Sequence, residues 1–279
     1  MKLNESKWVL AGLALFGLVA GYFFVRSAGS YQMGDTYLHY AVARWSWHHP
    51  CLLLDHWGKP VFTALYALPA LGGYTTAKIF SLLIGLVTGW LTYKVACDMG
   101  IRMAFTAPML LLGSPLYFIH LNSTMTETTF ALFMIIGVLL VGKQRFVAAA
   151  LVFSLLPFVR SEGFVLLPFM SIWFLYRRKW LAFFLLGSGF VGFSMLGALF
   201  CHHNIFWVFA KNPYAWVSTY GSGQLFHFVL SNKIVWGILF SILLALALAL
   251  YVLSLVRKDT RASQGFYTWM VVVPALVFL

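Results

Sequence analysis

The chain has 279 residues, of which 62% are hydrophobic and 9% charged, and its mean hydropathy is +0.87. These values exclude an ordinary soluble domain, and the repeated apolar runs are long enough to cross a bilayer, so the sequence reads as an integral membrane protein. A formal net charge of +12 would suggest nucleic acid in a soluble domain, but here the basic residues fall in short loops between apolar runs, where they meet anionic lipid headgroups. No nucleic-acid partner is expected.

The first apolar run, Trp8 to Val25, follows Lys2 and Lys7 and lacks a small-x-small cleavage site. It reads as a retained first helix or uncleaved anchor. Further candidate spans are Thr75 to Ala96, Met103 to Ile119, Glu127 to Val141, Phe146 to Val159, Gly163 to Tyr176, Trp180 to Phe200 and Ile234 to Val256, with another run from Phe266. The expected fold is an all-α polytopic membrane bundle of about eight or nine spans, forming one transmembrane domain over residues 1–279.

With the N-terminus in the cytoplasm, alternation places 12 of the 19 Lys and Arg residues in inner segments, among them Lys94, Arg102, Lys143, Arg145, Arg177, Arg178 and Lys179. That distribution obeys the positive-inside rule. The acids divide the other way: Asp35, Asp55, Glu127 and Glu162 fall outside, whereas Glu5, Asp98 and Asp259 fall inside. Two outer segments are long, residues 26–74 and 201–232, and both are rich in aromatic residues, His, Gly and Pro. Within the first, Tyr37 to Trp47 and Val61 to Leu71 suit helices lying in the interface. The function is therefore expected on the outer face, periplasmic if the membrane is a bacterial inner membrane. The chain stops inside an apolar run at Leu279, which reads as an N-terminal portion with its C-terminal part missing.

Several groups could carry chemistry on that face. Asp35, in Gly34-Asp35-Thr36-Tyr37, is the best candidate for a general base if burial raises its pKa; an N-cap for a helix starting near Thr36 is the competing role. Asp55 and His56 lead into Lys59-Pro60, where Lys59 offers a point charge for a phosphate or merely snorkels to solvent. His48, His49 and His56, beside Trp45, Trp47 and Trp57, read more readily as an aromatic interface belt than as metal ligands. Glu127 opens a span, with Thr124 or Thr126 as caps, and its charge also favours the positive helix N-terminus. Arg160-Ser161-Glu162-Gly163 interrupts an otherwise continuous apolar stretch, so Arg160 and Glu162 either pair, meet a ligand or form a simple turn. Tyr220, in the glycine-containing segment before His227, is a weaker substrate-binding candidate. Cys97 falls near the inner face, which leaves Cys51 and Cys201 as the pair able to bridge, and no bridge is expected.

Taken in order, these pieces resemble the membrane glycosyltransferases of the GT-C fold, the group that includes dolichyl-phosphate-mannose protein mannosyltransferases and the bacterial aminoarabinose transferase of lipid A. The resemblance rests on Asp35 early in a long outer loop, Lys59-Pro60 before an apolar stretch, Glu127 at the head of a later helix, and an Arg160-Ser161-Glu162-Gly163 segment similar to the group's Arg-Pro-Glu-Gly. It spans most of Asp35 to Gly163. Two positions depart from the group's pattern: Thr36 stands where many members have a second acid, and Val61 where many have a second proline.

The resemblance implies transfer of a sugar, with inversion, from a polyprenyl-phosphate donor to a glycan, lipid or protein acceptor. Asp35 would act as base, Lys59 and Arg160 would hold the leaving phosphate, and no cofactor or metal would be obligatory. Two other readings stay open. A transporter or lipid flippase would call for internal repeats and midplane charges, which the sequence lacks, and a noncatalytic membrane subunit would keep the scaffold without the chemistry.

Overall fold

In a bilayer every backbone N–H and C=O needs an internal partner, which makes helices the natural conformation of long apolar runs. The computed structural model describes residues 2–211, together with 237–238, 241–242 and 245–246. Tyr220 and the run from Phe266 lie outside the described residues. Among the described residues all regular structure is helical.

The first helix, α1 (Lys2–Arg26), is apolar almost throughout. Only one stripe, Val9, Leu13, Ala20 and Phe24, is buried, against α4 (Tyr74–Asp98). Trp8, Leu15, Leu18 and Phe23 are exposed on its other sides, the distribution expected of a helix that meets lipid rather than water. Among the described residues three stretches are long and apolar enough to cross a membrane: Glu5–Arg26, Tyr74–Asp98 and Trp180–His202. The molecule is thus compatible with a membrane protein.

The expected span Met103 to Ile119 is broken. Pro115 supplies no backbone N–H and disfavours the helical region for Ser114; Ser114 is extended (φ −65°, ψ 124°), which separates α5 (Thr106–Gly113) from α6 (Pro115–Leu121). A second break follows at residues 122–125, where α6 and α7 (Thr126–Gly142) meet at a bend of 108°. The next run is shorter than the span expected, because α8 (Phe146–Ser154) gives way to a 3₁₀ turn at Leu156–Phe158. Then come α9 (Gly163–Tyr176), α10 (Trp180–Leu185), α11 (Ser188–Gly197), a π-helical turn at Ala198–His202, and α12 (Trp207–Ala210).

Two apolar clusters organise the bundle. One joins α1, α4, α5 and α6; the other joins α7 to α10 through Ala149, Phe153, Leu166, Met170 and Phe174. The contact of α4 with α7 connects them. The first long loop folds over the end of α4. There α2 (Met33–Trp45) and α3 (Pro60–Leu71) pack as a pair through Tyr40, Ala43, Phe62 and Tyr66, with Ala77 and Ile84 of α4 beneath. Trp47 Nε1 donates to the Ala67 carbonyl at 2.8 Å, closing the far end of the pair.

Lys78, 1% exposed, donates from Nζ to the carbonyls of Phe24 (3.1 Å) and Ser27 (2.8 Å). It thereby satisfies the carbonyls at the C-terminal end of α1, where the helix dipole favours a cation.

The cysteines correct the sequence expectation: Cys51 and Cys201 are disulfide-bonded across 150 residues. Spacing carried no trace of this pairing because the fold alone brings the 3₁₀ turn Pro50–Leu54 to the π-helical turn after α11. His202 reinforces the junction, its Nε2 donating to the Leu54 carbonyl at 3.0 Å.

Candidate functional site

A chain of buried hydrogen bonds fixes the turn between α6 and α7. The Tyr66 hydroxyl meets Ser81 Oγ at 2.8 Å, and Ser81 Oγ donates to the Ser123 carbonyl at 2.5 Å. Thr124 Oγ1 donates to the Thr36 carbonyl at 2.5 Å, which fastens the start of α2 to the same turn. Tyr31 adds an edge-on contact to the His120 ring, with centroids 5.6 Å apart. Residues from α2, α3, α4, α6 and α7 are therefore locked around the head of α7.

Lys59 enters this region from the head of α3. It is 5% exposed, occupies the N-cap position before Pro60, and holds φ at +64° with ψ at 108°. A non-glycine residue at positive φ costs on the order of 1–3 kcal/mol and persists only where the surrounding structure over-determines it. Lys59 Nζ donates to Ser161 Oγ at 2.8 Å. Asp55 helps to set this conformation, because its Oδ1 accepts from the Gly58 N–H at 2.6 Å and closes the preceding turn.

Ser161 belongs to the turn between Val159 and α9, where Gly163 packs against the backbone of Leu156 and Pro157 so closely that a Cβ would collide with main chain. The turn presents Arg160 to two carboxylates. Its Nε lies 2.7 Å from Glu162 Oε1, and its Nη1 lies 2.6 Å from Glu127 Oε1 and 3.2 Å from Thr126 Oγ1. Glu127 Oε1 also faces His120 Nε2 at 3.7 Å, whereas its Oε2 is buried with no hydrogen-bond partner among the described residues.

The structure thus brings Lys59, Glu127, Arg160 and Glu162 into one network through Ser161. Two cations and two carboxylates give it a formal charge near zero, with both carboxylates directed at Arg160. Lys59 joins it through the hydroxyl of Ser161.

Electrostatics separate the members. Burial lowers the Lys59 pKa to about 8; Arg160 adds to the shift, while Glu162 and Asp55 oppose it. Burial also disfavours the charge on Arg160, but Glu127 and Glu162 outweigh it and raise its pKa. His39 lies stacked on Trp57, with centroids 4.3 Å apart, and burial lowers its pKa to about 4 against an opposing pull from Glu127 and with help from Lys59 and Arg160. His39 is therefore a neutral imidazole that senses the whole network, and its Nδ1 is buried without a partner among the described residues.

Asp35 stands one helical turn before His39, a rise of about 6 Å, and makes no hydrogen bond or ion pair to Lys59, Glu127, Arg160 or Glu162. It is not the N-cap. Gln32 takes that position and Asp35 sits in the first turn, where its half-buried carboxylate has no hydrogen bond or ion pair among the described residues. Thr124 and Thr126 do not cap α7 either: the N-cap residue is Met125 with no side-chain cap, Thr124 holds α2, and Thr126 receives Arg160.

His56 lies apart, edge-on to Trp207 at 6.2 Å, with its pKa lowered to about 4 chiefly by burial and next by Lys59. His48 and His49 lie beside Trp45, at ring distances of 5.7 and 6.4 Å. Among the described residues no three His, Cys, Asp or Glu side chains gather closely enough to hold a metal ion.

Sequence reasoning passed over His39, His120 and Ser161 as functional groups. The first had a signal, since Asp35 and His39 are spaced i, i+4 and share a helix face. His120 had none, because the bend at residues 122–125 creates its approach to Glu127. Compared with protein-family models, with curated proteins and with solved structures, the chain gives no match.

Proposed function

We propose that this chain is an integral membrane glycosyltransferase of GT-C architecture, with about eight or nine spans, that moves a sugar from a polyprenyl-phosphate donor to an acceptor on the non-cytoplasmic face. The single observation that carries this reading is Lys59: a lysine held almost fully buried, on a strained backbone, beside a serine hydroxyl and an Arg–carboxylate network. A buried ammonium is expensive, and a lysine kept in such a position suits the binding of a phosphate group.

In the reaction, the acceptor hydroxyl or amine attacks the anomeric carbon from the face opposite the phosphate. Asp35 takes the acceptor proton, the bond from the anomeric carbon to the phosphate oxygen breaks, and configuration inverts. Polyprenyl phosphate leaves with the electron pair, and Lys59 stabilises the charge that develops on it. Arg160, directed at Glu127 and Glu162, positions Ser161 and thereby the Lys59 ammonium. Glu127 Oε2 and His39 Nδ1 are buried polar atoms that an acceptor hydroxyl would satisfy.

The disulfide supports the orientation, because such bonds form in oxidising compartments. With Cys51 and Cys201 outside, the loops at residues 26–74 and after 201 face the periplasm if the membrane is a bacterial inner membrane, and the N-terminus is cytoplasmic.

The test is transfer of labelled sugar from a panel of polyprenyl-phosphate donors in membranes carrying the full-length protein, comparing wild type with Asp35→Asn and Lys59→Met. Product from wild type that falls in both variants supports the assignment. Product unchanged in Asp35→Asn removes Asp35 from the chemistry. Absence of product across the donor panel turns the reading toward a transport or noncatalytic role.

A further inference from the structure

At about 100° per residue, α2 has two opposed faces. His39 lies on one, the face that meets the charged network. On the other lie Tyr37 and Arg44, with Tyr40 and Trp45 at its edges and His48 in the turn just past the end of the helix. Together with Leu71 at the end of α3 they line a separate cleft of about 320 Å³.

The cleft has three properties at once. Its cation is preset, because Arg44 Nη1 donates to the Tyr40 hydroxyl at 2.6 Å, and Tyr40 is itself 5% exposed and packed on Tyr37 and Tyr74. Its charge has one sign: Arg44 lines it, and among the described residues no carboxylate does. Its rim is apolar, since Tyr37, Trp45 and Leu71 are all exposed, and Leu68, one turn before Leu71 on α3, is 70% exposed. A site for a water-soluble sugar would be rimmed by hydrogen-bonding groups. A fixed guanidinium among tyrosine hydroxyls, opening onto exposed apolar side chains, matches a molecule with an anionic head and a hydrocarbon body.

We infer that this cleft is a docking site for an anionic phospholipid. Its phosphate pairs with Arg44, with hydrogen bonds from His48 and the tyrosines, and its acyl chains lie over Leu68 and Leu71. Occupancy would hold α2 flat on the membrane with its other face turned into the protein. Lipid binding here does not depend on sugar transfer, so its failure leaves the proposed reaction untouched.

The experiment is native mass spectrometry of the full-length protein in neutral detergent, titrated with phosphatidylglycerol and with phosphatidylcholine of the same acyl chains. Wild type is expected to prefer phosphatidylglycerol by about fivefold, the ratio corresponding to about 1 kcal/mol for one cation at a membrane surface. Arg44→Gln abolishes that preference. Tyr40→Phe, which keeps the charge but releases the guanidinium, reduces it. Arg26→Gln, which removes an exposed cation at the end of α1, leaves it intact. The inference is overturned if Arg44→Gln binds like wild type, or if Arg26→Gln loses as much as Arg44→Gln and so reveals only a generally basic surface. It is also overturned if inorganic phosphate displaces the lipid, which would mark a site for free phosphate.

Discussion

Two lysines lie buried near the same end of α4, and their surroundings differ in kind. Lys78 is 1% exposed and donates to two main-chain carbonyls at the end of α1. Its partners are fixed by the helix, whose dipole favours a cation at that end, so the group is a fastener between α1 and α4. Lys59 is 5% exposed and meets a side-chain hydroxyl on the turn before α9, with carboxylates directed at a neighbouring arginine. Burial alone therefore does not mark a functional lysine. What distinguishes the two is whether the partner is backbone, which stays in place, or a network that could receive an anion.

The sharpest test of that contrast is Lys59→Met. Transfer should fall by about a hundredfold or more, the usual cost of removing one preorganised group that stabilises developing charge, while the thermal midpoint in detergent stays within a few degrees. A variant that unfolds instead would make Lys59 a fastener as well.

Lys78→Met should do the reverse. Loss of the charge-assisted bonds to Phe24 and Ser27 should cost about 2–3 kcal/mol of stability, read as a lowered thermal midpoint, with the specific activity of the folded fraction within about twofold of wild type. Opening the disulfide with Cys51→Ser should destabilise the junction between the first loop and α11 by a comparable amount, about 2–4 kcal/mol, without altering the salt bridges of Arg160.

The smallest effect is in pH. Because burial lowers the Lys59 pKa to about 8, the ammonium is present below that value and lost as pH rises through it. Inhibition of transfer by added farnesyl phosphate should weaken by about tenfold from pH 7 to pH 9, and Lys59→Arg should flatten that dependence. Stability moves the other way. Between pH 8 and 10.5 the unfolded chain keeps a proton that the folded chain releases, so Lys59 contributes stability that rises with pH across that window.

The sequence displayed the parts of this arrangement that depend on local pattern. The run after Lys2 and Lys7 is α1, the run from Thr75 is α4, Pro60 begins α3 at the first helical position, and Arg160 to Gly163 is the turn before α9. Parts that depend on chain reversal were hidden. Hydropathy over Met103 to Ile119 is continuous, so only Pro115 hinted at the break, and nothing local announced the 108° bend that delivers Glu127 to Arg160 and His120. Lys78 looked like any charged residue near the head of an apolar run, because its partners lie some fifty residues earlier. Alternation of the spans left Cys51 and Cys201 as the pair able to bridge, but their close approach was hidden for the same reason.

That pair has a consequence for assembly and handling. Everything from residue 52 to residue 200 lies inside a single covalent ring. The ring cannot close until α11 has left the ribosome and been inserted, so its closure reports a chain assembled through α11 rather than an early loop. Once closed, a protease cut at any one inner loop within the ring opens it into a linear molecule held together by sulfur, and the two fragments part on a gel only after reduction.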